Sequence, residues 1–94
     1  LGDVYKRQEF ALYQNEPNPF KGNTLIGYDL PTAGDVTLTI VDVAGKVVFV
    51  KDQESVKGYN TISVSSKDIP SVGVLYYRLD ANEYSATKKM IIIE

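Results

Sequence analysis

The 94-residue chain has no cysteine and no histidine. Without cysteine there is no disulfide and no thiolate metal site, so a domain this small is held by its core alone. The usual mark of an oxidising compartment is missing too, although that does not exclude export. Without histidine the commonest general base is gone, and with it the Ser-His and Cys-His nucleophile systems and most zinc sites. Apolar runs reach no more than four residues, as at Val47–Val50 and Met90–Ile93, against the roughly 20 that a membrane-crossing helix needs. No stretch has the pattern of a signal peptide. If the protein is exported, the address lies upstream of this chain or is this chain.

Charge of one sign is also scarce. The net charge is -2, with Lys and Arg scattered among Asp and Glu. Phosphate binding wants a clustered basic face, so nucleic acid is not the expected partner, nor is an anionic membrane surface. The length allows one domain at most. Such a chain buries only about two-thirds of its unfolded surface, which leaves no room for a deep catalytic cleft beside a core. Paired carboxylates for glycoside hydrolysis need such a cleft, and no catalytic activity is expected. Asp29, Asp35, Asp42 and Asp80 fall at strand ends, but no Asp-x-Asp-x-Asp spacing supports a calcium loop.

What is present is organised around Leu12–Phe20, Leu-Tyr-Gln-Asn-Glu-Pro-Asn-Pro-Phe. Pro17 and Pro19 lack a backbone N–H and hold φ near one value. They also push Glu16 and Asn18 towards extended angles. The segment is therefore neither helix nor the middle of a sheet. It reads as a stiff, edge-like lead-in that delivers Phe20 to the core. Residues 1–8 fit no later pattern and resemble a leader of cloning or library origin. That leaves residues 9–94 as the domain.

Short alternating segments follow. A first strand is expected over Glu9–Gln14. Thr24–Leu30 places Ile26, Tyr28 and Leu30 on one face, and Asp35–Asp42 does the same with Val36, Leu38 and Ile40. The connection Asp42–Gly45 relies on Gly45 for a positive φ. Lys46–Val50 returns without an assignable face, and Lys51–Gly58 is polar enough to read as a surface loop. Tyr59–Ser65 turns Ile62 and Val64 inward. The Ser66–Gly73 connector drops Ile69 onto the core. Val74–Ala81 buries Leu75, Tyr77 and Leu79 and leaves Arg78 in water. Asn82-Glu83 turns the chain into Tyr84–Ile93, where Ile91-Ile92-Ile93 reads as a strand covered on both sides rather than an exposed patch. Lys88 and Lys89 alternate faces, so one of them points inward or lies along an edge. About seven strands with turn signals every 8–12 residues or so predict an all-β antiparallel sandwich, Ig-like or fibronectin III-like.

Four segments carry a family resemblance. Leu12–Pro31, "LYQNEPNPFKGNTLIGYDLP", resembles the opening of type A C-terminal sorting domains of the bacterial type IX secretion system, which begin Asn-x-Pro-Asn-Pro-Phe. Val36–Val48, "VTLTIVDVAGKVV", is similar to that family's strand, Asp-x-x-Gly turn and return strand. Gly73–Leu79, "GVLYYRL", and Ser85–Ile93, "SATKKMIII", resemble its last two strands. The chain departs from the pattern at Lys21-Gly22, where Asn-Pro is frequent, and at Val41 and Leu75, where aromatics are common. A related Ig-like module, similar to that of the flagellar hook-cap protein, shares much of this pattern.

The resemblance implies a non-catalytic carboxy-terminal address on a larger passenger protein. It implies a monomer without cofactor or metal, which crosses the periplasm and reaches the cell surface or the medium. Its partners would be the outer-membrane secretion machinery and a sortase-like surface protease. The motif residues carried over are Pro17, Asn18, Pro19, Gly45, Gly73, Lys88 and Lys89. The chain stopping at Glu94, just past its last strand, fits an extreme C-terminal position. The alternative is an accessory module that binds glycan or cell-wall material through Tyr59, Tyr76 and Tyr84.

Overall fold

The computed structural model describes residues 9–94. The leader expected over residues 1–8 lies outside them. The strands are β1 (Ala11–Leu12), β2 (Asn23–Leu30), β3 (Gly34–Asp42), β4 (Val47–Ser55), β5 (Gly58–Ser65), β6 (Gly73–Ala81) and β7 (Tyr84–Ile92). They form a three-stranded sheet in the order β1-β2-β5 and a four-stranded sheet in the order β4-β3-β6-β7. All strand pairs are antiparallel. The architecture is therefore an all-β antiparallel sandwich.

The period of two in the sequence carries over into the core. Ile26, Tyr28 and Leu30 of β2, Val36, Leu38 and Ile40 of β3, and Ile62 and Val64 of β5 are buried. So are Leu75, Tyr77 and Leu79 of β6, and Ile69 drops in from a short 3-10 turn at Ser66–Asp68. The tight β3–β4 turn uses Gly45 at φ +87°. The Asp42 carboxylate accepts the Ala44 and Lys46 amides there. Gly73 opens β6 at φ +99°. Both values lie where a Cβ is strained.

The expected Lys51–Gly58 loop is instead strand as far as Ser55. Leu38 pairs with Lys51 and Gly34 with Ser55, so β4 runs the full length of β3. The polar run misled because β4 is an edge, where charged side chains are favoured as a guard against further pairing. Val47–Val50 could not be phased because the ladder slips there. Ile40 faces Phe49 and Val41 faces Val47, leaving Val48 extra. Both Val48 and Phe49 consequently pack against the core.

The first strand is shorter than expected, because the chain turns inward at Asn15. The closing apolar run is not covered on both sides. Ile92 is buried, Ile91 is half-buried and Ile93 is exposed, since β7 is also an edge strand with one outward face. Thr37, placed on the outer face, is half-buried and its hydroxyl donates to the Asp52 carboxylate at 2.7 Å.

Candidate functional site

The proline segment crosses from one sheet to the other. At its start, Glu16 and Leu25 of β2 exchange both backbone hydrogen bonds, at 2.9 and 2.8 Å. At its end, the Phe20 amide donates to the Ile91 carbonyl and the Ile93 amide to the Phe20 carbonyl, at 2.9 and 2.8 Å. The Asn18 side-chain oxygen accepts the Ile91 amide at 2.9 Å, and the Gln14 amide donates to the Lys89 carbonyl at 2.7 Å. Gln14–Phe20 is thus a strap that closes one side of the sandwich and occupies the free edge of β7 from Lys89 to Ile93. Pro17 and Pro19, both preceded by cis peptide bonds, present no N–H to the solvent side. Phe20 is 1% exposed and anchors the strap.

A buried polar network holds the strap in place. Asn15 is 1% exposed. Its backbone amide donates to the Tyr77 hydroxyl at 2.9 Å. Its side-chain amide donates to the Pro17 carbonyl at 3.1 Å and to the Thr24 hydroxyl at 3.0 Å, and its side-chain oxygen accepts from Gln14. Thr24 donates to the Pro17 carbonyl at 2.8 Å, and Tyr77 donates to the Tyr13 carbonyl at 2.7 Å. Among the described residues no buried side-chain polar atom lacks a partner. A fully satisfied network of this kind specifies one arrangement, because any alternative strands a polar group away from water.

Burial pushes the Tyr77 hydroxyl up to about 12, against the Asn15 amide, which pulls it down. A raised folded-state value means the network contributes fully below the ordinary tyrosine value of 10.0 and is lost as pH climbs through about 12. Tyr13 is also raised, first by its hydrogen bond to Asp29. Urea unfolding at stepped alkaline pH should show stability falling over that window, and falling less steeply in Tyr77→Phe.

The sequence-derived motif residues do not form one cluster. Pro17, Asn18 and Pro19 lie in the strap. Lys88 and Lys89 lie in β7, Lys89 at the start of the stretch that the strap covers and Lys88 just before it. Gly45 and Gly73 serve backbone turns elsewhere. Lys88 points inward opposite Tyr77, half-buried, and Lys89 points outward opposite Tyr76. An inward charge on an edge strand discourages a further strand from joining. Asn15 and Thr24 escaped the sequence reading as buried residues, and Tyr77 was read as core without its hydrogen bonds to the strap. Asn15 was nevertheless within reach, as the first residue of the Asn-x-Pro-Asn-Pro-Phe segment at a fixed offset from both prolines.

The three tyrosines of the glycan alternative do not share a platform. Tyr59 stands on the outer face of the three-stranded sheet and Tyr76 on that of the four-stranded sheet, while Tyr84 stacks on Phe10 with ring centroids 5.3 Å apart. Among the described residues no three acidic side chains gather as metal ligands. Asp42 caps its turn and Asp80 pairs with Arg78 at 3.0 Å.

The family model described as secretion system C-terminal sorting domain matches residues 16–93. The chain belongs to that family. The match runs from the middle of the strap to the end of β7, the two elements that the hydrogen bonds tie together. The family is a non-catalytic signal that sends passenger proteins out through the type IX secretion system. Membership implies an attached passenger, the secretion machinery as partner, and export to the cell surface or the extracellular space. No curated protein matches the chain.

Proposed function

We propose that this sorting domain is not an enzyme, and that the secretion machinery reads it as a folded body rather than as a linear signal. On this reading Pro17, Asn18, Pro19, Gly45, Gly73, Lys88 and Lys89 act by building that body. The supporting observation is the strap: Asn18 accepts the Ile91 amide, linking residues far apart in sequence that meet only once the sandwich has formed. The domain folds in the periplasm, is engaged at the outer membrane, and is then removed by a sortase-like surface protease.

Residues 9–94 fused behind a fluorescent protein with a periplasmic signal peptide test this. Fluorescence is expected at the surface or in the medium of a strain with a working type IX system, and in the periplasm of a strain without it. Asn18→Ala removes one hydrogen bond, worth about 0.5–1.5 kcal/mol, and is expected to lower export in step with the lost stability. Periplasmic retention of the unaltered fusion in both strains would overturn the reading and return attention to glycan binding. Export that ignores destabilising changes would overturn recognition of the folded body.

A further inference from the structure

The outer face of the three-stranded sheet carries a hollow beside the strap. Leu25, Gly27 and Asp29 of β2 point outward there. Glu16 pairs beside Leu25, and the Tyr13 amide donates to the Gly27 carbonyl. Tyr59 pairs opposite Asp29 and leans over Gly27, where a Cβ would stand only 2.5 Å from its hydroxyl oxygen. Two tyrosine rings, 6.1 Å apart at their centroids and tilted by 45°, thus border an open groove of about 850 Å³ that Leu25, Pro17 and Glu16 help to line. Leu25 is 51% and Tyr59 64% exposed.

The strands of this sheet carry charge of one sign, at Asp29. None of the chain's 10 lysines and arginines falls in β1, β2 or β5. Strand-borne positive charge, at Lys51, Arg78, Lys88 and Lys89, is confined to the four-stranded sheet. The groove has carboxylates instead. Asp29 accepts the Tyr13 hydroxyl and steadies that ring. Glu16 is exposed, and among the described residues the ion pair is Arg78–Asp80, so its carboxylate is uncommitted.

We propose that this groove docks an arginine side chain presented on an extended segment of the secretion machinery, a proposal that rests on the sorting reading above. Aromatic faces attract a cation, and guanidinium stacks on them better than ammonium does. The aliphatic stem of an arginine lies against Leu25 and Pro17. Its fork then meets the Glu16 carboxylate in a charge-assisted pair. A lysine would bring only a point charge, and an acidic segment would be repelled.

The probe is the capped tripeptide acetyl-Val-Arg-Val-amide, titrated into the isotopically labelled full chain and followed by amide chemical shifts. The matching Val-Glu-Val peptide is the control. Shifts are expected at Tyr13, Leu25, Gly27 and Tyr59 with the arginine peptide alone, and they weaken as salt is added. Glu16→Lys, at an exposed position, should weaken binding by about tenfold or more, the loss of one charge-assisted contact. No shifts, equal shifts with the control peptide, or binding unchanged in Glu16→Lys would each overturn the proposal.

Export supplies the second readout. The Glu16→Lys tail, with melting temperature unchanged, should carry less of the fluorescent reporter to the surface than the unaltered tail. Equal export by the two tails overturns docking by the machinery. Failure of the unaltered tail to export anything overturns the sorting reading instead, while the peptide titration still decides whether the groove takes arginine.

Discussion

Phe20→Ala is expected to lower the unfolding free energy by about 3–5 kcal/mol, the range for truncating a buried phenylalanine. The ring is 1% exposed and lies at the end of the strap. Its removal leaves a cavity in the core where the strap pairs with the end of β7. A domain of this size commonly has only about 5–15 kcal/mol in hand, so much of the stability rests on one side chain. The loss should also be local in a measurable way. The Ile91 and Ile93 amides, whose partners Asn18 and Phe20 belong to the strap, should exchange with solvent faster than amides in β3. Chemical denaturation gives the total and hydrogen exchange gives the place. A loss below about 0.5 kcal/mol, the ordinary range of a surface change, would show that the strap is held without its anchor.

The second large effect is expected at Leu38→Ala, about 2–5 kcal/mol. Leu38 is fully buried in β3, between β4 and β6, with Leu79 directly across. Its neighbour Thr37 provides the contrast. The Thr37 hydroxyl donates to Asp52 on the exposed side, so Thr37→Ala is expected to cost about 0.5–1.5 kcal/mol, one ordinary hydrogen bond. Two adjacent residues on opposite faces of one strand should therefore differ several-fold in how far each substitution lowers the urea midpoint. Equal losses would contradict the facing of β3.

The strands that bury one clean face were legible without coordinates. In β2, β3, β5 and β6 the alternation of Ile, Leu, Val and Tyr with polar residues coincides with what is buried, because a pleated strand has a side-chain period of two. The edges were harder to read. β4 exposes most of its side chains beyond Phe49, so its charged half resembles a loop, and a one-residue slip at Val48 hides the phase of the rest. In β7 the apolar ending suggested cover on both faces, whereas the cover comes along the edge, from the strap. Alternation records which face is buried and carries no information about edges.

The candidate site shows the same division. The proline pair marked the strap as special and non-sheet, through constraints that act within a few residues of each proline. Family membership followed from segments spread along the chain and matched over residues 16–93. Nothing local to Asn15 says that its amide meets Tyr77, 62 residues further on. Nor does Glu16 reveal that it shares a groove with Tyr59 beside strands that carry no lysine or arginine. By itself the sequence determined the strand count, the inward faces of β2, β3, β5 and β6, the two glycine turns and the family. Only the tertiary structure decided which edge the strap closes, which polar groups are buried with it, and how charge divides between the two sheets. The physical reason is range: propensity, proline geometry and periodicity act between near neighbours, whereas edge cover, buried networks and surface charge are properties of strands that folding brings together.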